Sequence, residues 1–295
     1  MTNVNTLTQI LVSGLTLGAM YAISTVSLSL IWGALNMLNM AQGAFLTFGG
    51  YVAYAAMASA GMPSLAAIAA SIAFGALLGV LIYGGVVRRM LGSENFEVNI
   101  IIATVGIATV LENLLQKVFG AYPIRQPLTV EGGIFLGKTH IPYNSLVIVF
   151  VSVALMLLLA AILTRTRMGR AIRAVSQQRE AAQLMGVSVD RVYAQVLALA
   201  GGLSAASGIM LSTITTLAPT MGYDPMLKAF IICVIAGLGN VRGALYAAFM
   251  LGVFEAFVQF SLGVRFAFPM MLLIVIITLI WRPYGLFGRS KVARL

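Results

Sequence analysis

The chain has 295 residues, 60% of them hydrophobic and only 9% charged, against roughly 25% charged in an ordinary soluble domain. That excludes a soluble globular protein, and the net charge of +10 is explained by basic loops flanking membrane spans rather than by a nucleic-acid partner. A single Cys233 and a single His140 exclude an intrachain disulfide and an ordinary His/Cys zinc centre, and no cofactor is expected.

No charged residue precedes Arg88. One helical crossing needs about 20 apolar residues, so three crossings fit before that point. The expected spans are residues 12–31, 45–57 and 65–87, with Gly61, Met62 and Pro63 turning the chain between the second and third. The first residues carry no basic group, so the N-terminus reads as the first membrane helix rather than as a cleaved signal.

Arg88 and Arg89 place the next loop in the cytoplasm. Residues 98–119 form a fourth span. Residues 120–143, with Pro123, Pro127, Gly132, Gly133, Gly137 and Pro142, form an external loop too broken to cross. Residues 146–163 return, and residues 165–191, with six arginines against Glu180 and Asp190, are the main cytoplasmic loop. Residues 192–217 lead out, residues 219–225 turn around Asp224, and the last spans are 230–236, 244–260 and 266–281.

These elements predict an all-α polytopic membrane protein in one transmembrane domain over 1–295. It has about eight to ten transmembrane helices and one or two interrupted or re-entrant segments. Counting every segment gives nine crossings, an external N-terminus and a cytoplasmic C-terminal tail bearing Arg289, Lys291 and Arg294. The spacings Gly14/Gly18, Gly75/Gly79 and Ser204/Gly208 permit close helix packing, although thirty glycines in apolar helices also produce such pairs by chance.

Two breaks stand out. Asn36, Asn39, Gln42 and Gly43 lie between apolar stretches, where backbone and amide groups need partners in the protein or in a water-filled cavity. Gly239-Asn240-Val241-Arg242-Gly243-Ala244 echoes Asn39-Met40-Ala41-Gln42-Gly43-Ala44 with one residue deleted, a hint of internal duplication. Broken helices line transport pathways, which makes Asn36, Asn39, Gln42, Gly43 and Asn240 the candidate substrate-pathway residues. The alternative at both breaks is a plain helix start capped by asparagine. Glu112 and Glu255 are the acids expected at membrane depth, as pathway groups or as packing glue.

Gly132-Gly133-Ile134-Phe135-Leu136-Gly137-Lys138-Thr139 matches the phosphate-loop pattern literally. It lacks the preceding buried strand and the following helix that phosphate binding needs, so nucleotide binding is rejected. In the cytoplasmic loop, Ile172, Val175, Ala182 and Met185 fall at offsets 0, 3, 10 and 13, one face of a helix, with Gly186 as its stop. This reads either as a basic loop lying on anionic lipid or as a docking element for a cytoplasmic partner.

Gly169-Arg170-Ala171-Ile172-Arg173-Ala174-Val175, Arg179-Glu180-Ala181-Ala182 and Leu184-Met185-Gly186-Val187 resemble the cytoplasmic loop of permease subunits of branched-chain amino acid ABC importers. The opening Gly14 to Ala22, the segment Gly237-Leu238-Gly239 with Gly243-Ala244, and the ending Arg282-Pro283 with Gly285-Leu286-Phe287-Gly288 resemble that family too. The length fits the smaller of its two membrane subunits.

The resemblance implies a non-catalytic conduit in the bacterial inner membrane. Its implied partners are a homologous second permease, two cytoplasmic ATPase subunits and a periplasmic substrate-binding protein. It also implies a coupling helix made of Arg179, Glu180, Ala181, Ala182, Met185 and Gly186. Where related sequences read Asn-Phe-Ala-His-Gly-Glu, this chain has Asn39-Met40-Ala41-Gln42-Gly43-Ala44, without either ionisable group. Carriage of urea, short amides or aromatic acids therefore stays open beside branched-chain amino acids, as does, more remotely, a self-sufficient secondary transporter or channel.

Overall fold

A computed structural model describes residues 2–128, 132–136 and 139–288. Helix α1 (Thr2–Leu35) is followed by α2 (Gln42–Ala58) and α3 (Ser64–Ile82), which continues through one π-helical turn, Tyr83–Val87, into α4 (Arg88–Met90). Next come α5 (Phe96–Phe119), the strands β1 (Gly133–Leu136) and β2 (Thr139–Pro142), α6 (Tyr143–Arg165), α7 (Arg167–Gln177) and α8 (Arg179–Leu184). The chain ends with α9 (Val189–Ile214), α10 (Tyr223–Ala236), α11 (Val241–Ser261) and α12 (Val264–Trp281).

Every apolar segment expected as a span is helical, but the nine are not equivalent. Among the described residues, seven helices are long and apolar enough to cross a membrane, whereas α2 has 17 residues and α10 has 14. At 1.5 Å per residue α10 extends only about 21 Å, short of a hydrocarbon core of about 30 Å. Both short helices adjoin non-helical stretches, 36–41 before α2 and 215–222 before α10, where the chain runs through the protein without helical structure. The chain is a multi-pass membrane protein with two incomplete spans rather than nine uniform ones.

The bundle has two ends. One carries Arg88, the α7–α8 segment and the break after α10; the other carries the antiparallel β1–β2 hairpin, in which Gly133 pairs with Pro142 and Leu136 with Thr139. At the hairpin end, an isolated bridge joins Ile124 to Leu217. Helices α1 and α9 form the centre and are mostly enclosed by protein, while α5, α6 and α12 are largely uncovered.

Small residues make that centre possible. In lipid there is no hydrophobic gain from helix association, so close packing and interhelical hydrogen bonds decide it. A side chain at Gly14 or Gly18 would strike the α11 backbone at Val253 or Phe249; one at Gly75 or Gly79 would strike α9 at Gly201 or Leu197; one at Gly208 would strike α2 at Leu46. All three small-residue spacings seen in the sequence therefore sit at helix crossings. Serines add polar ties: Ser24 Oγ lies 2.7 Å from Ser207 Oγ, Ser27 Oγ donates to the Ala200 carbonyl at 2.9 Å, Ser71 Oγ to Gly49 O at 2.6 Å, and Ser152 Oγ to Ala19 O at 2.7 Å.

Candidate functional site

At the first break α1 stops because Asn36 takes a left-handed conformation (φ 51°), its amide still donating to Trp32 O at 2.8 Å. Asparagine is among the few side-chain-bearing residues that adopt that conformation readily. The chain then climbs back between α1 and α5, and the Met40 amide donates to Thr104 Oγ1 of α5 at 3.1 Å. Asn39 Oδ1 accepts from the Ala41 amide at 3.1 Å, and Gln42 Nε2 donates to Ser27 Oγ at 2.7 Å and to Ser24 O at 3.2 Å. Because those serines pair with Ser204 and Ser207 in the middle of α9, Gln42 sits at mid-height in the bundle.

Both amides are buried there, and Asn39 Nδ2 and Gln42 Oε1 have no hydrogen-bond partner. Gly43 is pressed against Gly222 just before α10, so the first turns of the two short helices meet backbone to backbone. The residue at the N-cap position of α2 is Ala41, with no side-chain cap bond. Asparagine capping in its ordinary form is thus not what starts α2.

The second break is of the capping kind. Asn240 Oδ1 accepts from the Gly243 amide at 3.0 Å, and its Nδ2 donates to Phe287 O at 2.8 Å. Gly237 (φ 95°) and Gly239 (φ 82°) allow the turn, and Gly239 packs on Gly33 of α1. The Leu286 and Phe287 amides donate to Ile235 O and Ala236 O. The structure does not bring Asn240 together with Asn39, Gln42 and Gly43. Instead it stands at the arginine end near a cavity of about 560 Å³ lined by Asn36, Trp32, Arg173, Arg179, Tyr193 and Gly239. Asn36 is the one sequence-predicted pathway residue on that cavity.

The cytoplasmic-loop candidates form two helices rather than the single periodic one expected. Thr166 Oγ1 caps α7 by accepting from the Gly169 amide at 3.0 Å. Gln178 is extended (φ −156°, ψ 107°) and separates α7 from α8. Ile172, Val175 and Ala182 are all buried in the chain's own core, but Met185 is 85% and Leu184 88% exposed. The expectation that Ala182 presents an apolar docking face is corrected: Ala182 supports α8 from beneath, and Leu184 and Met185 form the exposed tip. Gly186 (φ 81°) ends the element as expected, its amide donating to Gln183 O at 3.0 Å. The Arg179 guanidinium lies 5.7 Å over the Tyr193 ring, which ties α8 to α9, and Glu180 and Ala181 complete the first turn of α8.

A charged cluster joins α1, α10 and α11, in which Glu255, singled out from the sequence, meets Lys228, a residue that sequence reasoning missed. Lys228 Nζ lies 2.8 Å from Glu255 Oε1, 2.9 Å from Asp224 Oδ2 and 3.1 Å from the Tyr21 hydroxyl; Gln259 Nε2 donates to Glu255 Oε1 at 2.9 Å. Glu255 is fully buried. Helix α10 begins at Tyr223 rather than at 230 because Pro225 is tolerated in a first turn, and this brings Lys228 inside the helix. The signal available was Lys228 four residues after Asp224 in an apolar run. Nearby, the Tyr223 hydroxyl donates to Glu112 Oε2 at 2.6 Å.

The phosphate-loop-like stretch is a strand hairpin over its described part, with no helix opening from its glycines; Gly137 and Lys138 lie outside the described residues. The basic tail at Arg289, Lys291 and Arg294 also lies outside them. No group of three or more metal-ligating side chains occurs among the described residues.

Residues 10–281 match the family described as the permease component of branched-chain amino acid transport systems. The chain is 28% identical to the high-affinity branched-chain amino acid transport system permease protein BraD of Pseudomonas aeruginosa, covering 97% of each. It is 26% identical to the permease protein LivH of the corresponding system in Escherichia coli K12, covering 96% of each. A shorter stretch, 40% of this chain and 33% of the relative, is 35% identical to the fructose import permease protein FrcC of Rhizobium meliloti. No solved structure matches.

Proposed function

This chain belongs to the family of branched-chain amino acid transport system permease components, and from that premise we propose how it works as the permease subunit of a binding-protein-dependent ABC importer. It lies in a bacterial inner membrane with its arginine end toward the cytoplasm. It pairs with a second, homologous permease, receives cargo from a periplasmic binding protein, and is driven by two cytoplasmic ATPase subunits. The cargo class is branched-chain amino acids, as the names of its full-length relatives state for them.

The observation that carries this reading is the tip of α8. Two large apolar side chains, Leu184 and Met185, project from a short helix at the basic end, and such exposed apolar groups rimmed by polar ones mark a protein contact. Arg179, Glu180, Ala181, Ala182, Met185 and Gly186 form the coupling element. Leu184 and Met185 enter a groove of an ATPase subunit, Ala182 and the Arg179–Tyr193 contact hold α8 against α9, and movement of the ATPases is passed through α9 to the centre of the bundle.

Asn39, Gln42 and Gly43 act in that centre by fixing the start of α2 against α1 and α10, while Asn36 faces the cytoplasmic cavity and Asn240 anchors α11. A carboxylate at the tip would have to be buried without a partner, at several kcal/mol. Met185→Glu should therefore insert and fold normally, because its side chain is exposed, yet lose co-purifying ATPase subunits. Retention of the ATPases and of ATP hydrolysis stimulated by loaded binding protein would contradict the placement.

A further inference from the structure

Helix α5 has three kinds of surface. Thr104, Ala108 and Leu115 are buried against the bundle. Val110, Leu114 and Val118, at i, i+4 and i+8, are exposed and apolar, as lipid requires. Over the outer half of the helix, Thr109, Asn113 and Gln116, with the partly exposed Glu112, fall at i, i+3, i+4 and i+7 on a separate uncovered stripe that is polar there, and Val98, Ile102 and Val105 continue that stripe as exposed apolar residues toward the start of α5.

Next to this stripe stands the first turn of α10, linked by the Tyr223–Glu112 hydrogen bond. Asp224 projects from that turn with its side chain 67% exposed, while Lys228, one turn on, is 11% exposed and held from behind by the fully buried Glu255. The position is not at a membrane surface. Gly222, just before α10, touches Gly43, and the neighbouring Gln42 is hydrogen-bonded to Ser27, which faces the middle of α9. A carboxylate open to hydrocarbon at such a depth is strongly disfavoured, so intramembrane charges face protein or water. The part of this face around Glu112, Asn113 and the first turn of α10 is therefore not lipid-facing.

We propose that Asp224 and Lys228, flanked by Thr109, Glu112 and Asn113, form the cargo-contact face of the translocation route and take the ammonium and carboxylate of a zwitterionic amino acid. The charges suit that cargo class. Lys228 is a cation whose position is fixed by Glu255, and Asp224 is its exposed partner, placed to exchange Lys228 for a cargo ammonium while Lys228 donates to the cargo carboxylate. The apolar side chain of the cargo then lies along Leu227, the exposed apolar residue between them. This rests on the permease reading above and adds to it a contact site away from the packed Asn39–Gln42 turn.

Single cysteines in the complete transporter, in a Cys233→Ala background, test the face without reference to cargo. With a small cationic methanethiosulfonate reagent, Thr109→Cys, Asn113→Cys and Asp224→Cys should react, and Val110→Cys and Leu114→Cys should not. Silence at Thr109, Asn113 and Asp224 alike, or equal reaction at Val110 and Leu114, would overturn the proposal.

Asp224→Asn, which leaves the Lys228–Glu255 pair intact, then tests the chemistry in vesicles holding the transporter with binding protein loaded with labelled L-leucine. Leucine moved per ATP should fall by about tenfold or more, the low end of the worth of one hydrogen bond to a charged group, with stimulated ATP hydrolysis retained and Asp224→Glu recovering transport. An unchanged ratio of leucine to ATP would refute the contact. ATP-independent movement of leucine by the unaltered protein would instead defeat the permease reading, while leaving the labelling pattern to decide the face.

Discussion

The two breaks in the helices read almost alike and are built differently. The first holds two buried amides, Asn39 and Gln42, at mid-height, with its hydrogen bonds reaching α1 and with Gly43 seated on Gly222. The second is a glycine turn with Asn240 in an ordinary capping bond at the arginine end. An Asn–Gly pattern says only that a helix is interrupted. Whether the interruption is an internal joint or a terminal cap depends on what the flanking helices place around it.

Substitutions that act on one break should therefore differ sharply from those that act on the other. The largest effect is expected at the backbone contact of the first break, where Gly222→Val would drive a branched side chain into Gly43 and Thr47. Overpacking of this kind costs about 1–3 kcal/mol or more, and the thermal midpoint of the purified protein in detergent should fall accordingly. A midpoint equal to that of the unaltered protein would mean that α2 and α10 do not meet as described.

A smaller loss is expected for Gln42→Leu. It removes two hydrogen bonds and leaves Ser27 with its remaining partners Ala200 and Ser204, a cost of about 2 kcal/mol, below that of a side chain driven into backbone. Cargo flux should fall while ATPase subunits stay bound; full flux would show that the turn has no part in movement. The mildest effect is expected for Asn240→Ala, the loss of one cap, typically about 1 kcal/mol. Asn240→Ser or Asn240→Asp should recover most of the midpoint, and failure of both to do so would give Asn240 a role beyond capping, with its bond to Phe287 the first suspect.

Much of the fold was legible because membrane helices announce themselves by length and charge. The uncharged helical opening, the Gly237–Gly243 turn and the stop at Gly186 all sit where the sequence placed them. What escaped notice depends on contacts between distant segments. Ile172, Val175 and Ala182 keep a single helical phase even though Gln178 interrupts the helix, so periodicity alone did not reveal two elements or show that the apolar face is already covered. Lys228 and Glu255 are 27 residues apart on opposite sides of a break, and only folding makes them a pair.

The stripe on α5 is a different case. Thr109, Glu112, Asn113 and Gln116 have plain helical spacing and were readable, but exposed apolar residues share their helix on two faces, so spacing alone does not mark a separate surface. Exposure in the folded chain is what separates the polar stripe from the neighbouring lipid face at Val110 and Leu114.

The central claim is that this chain is a conduit moved by partner subunits, and transport in sealed vesicles tests it most directly. With the second permease, the ATPases and loaded binding protein present, labelled leucine should accumulate only when ATP is supplied on the cytoplasmic side, and Met185→Glu should abolish that accumulation. Accumulation of leucine by this chain alone, driven by a proton or sodium gradient without ATP, would contradict it.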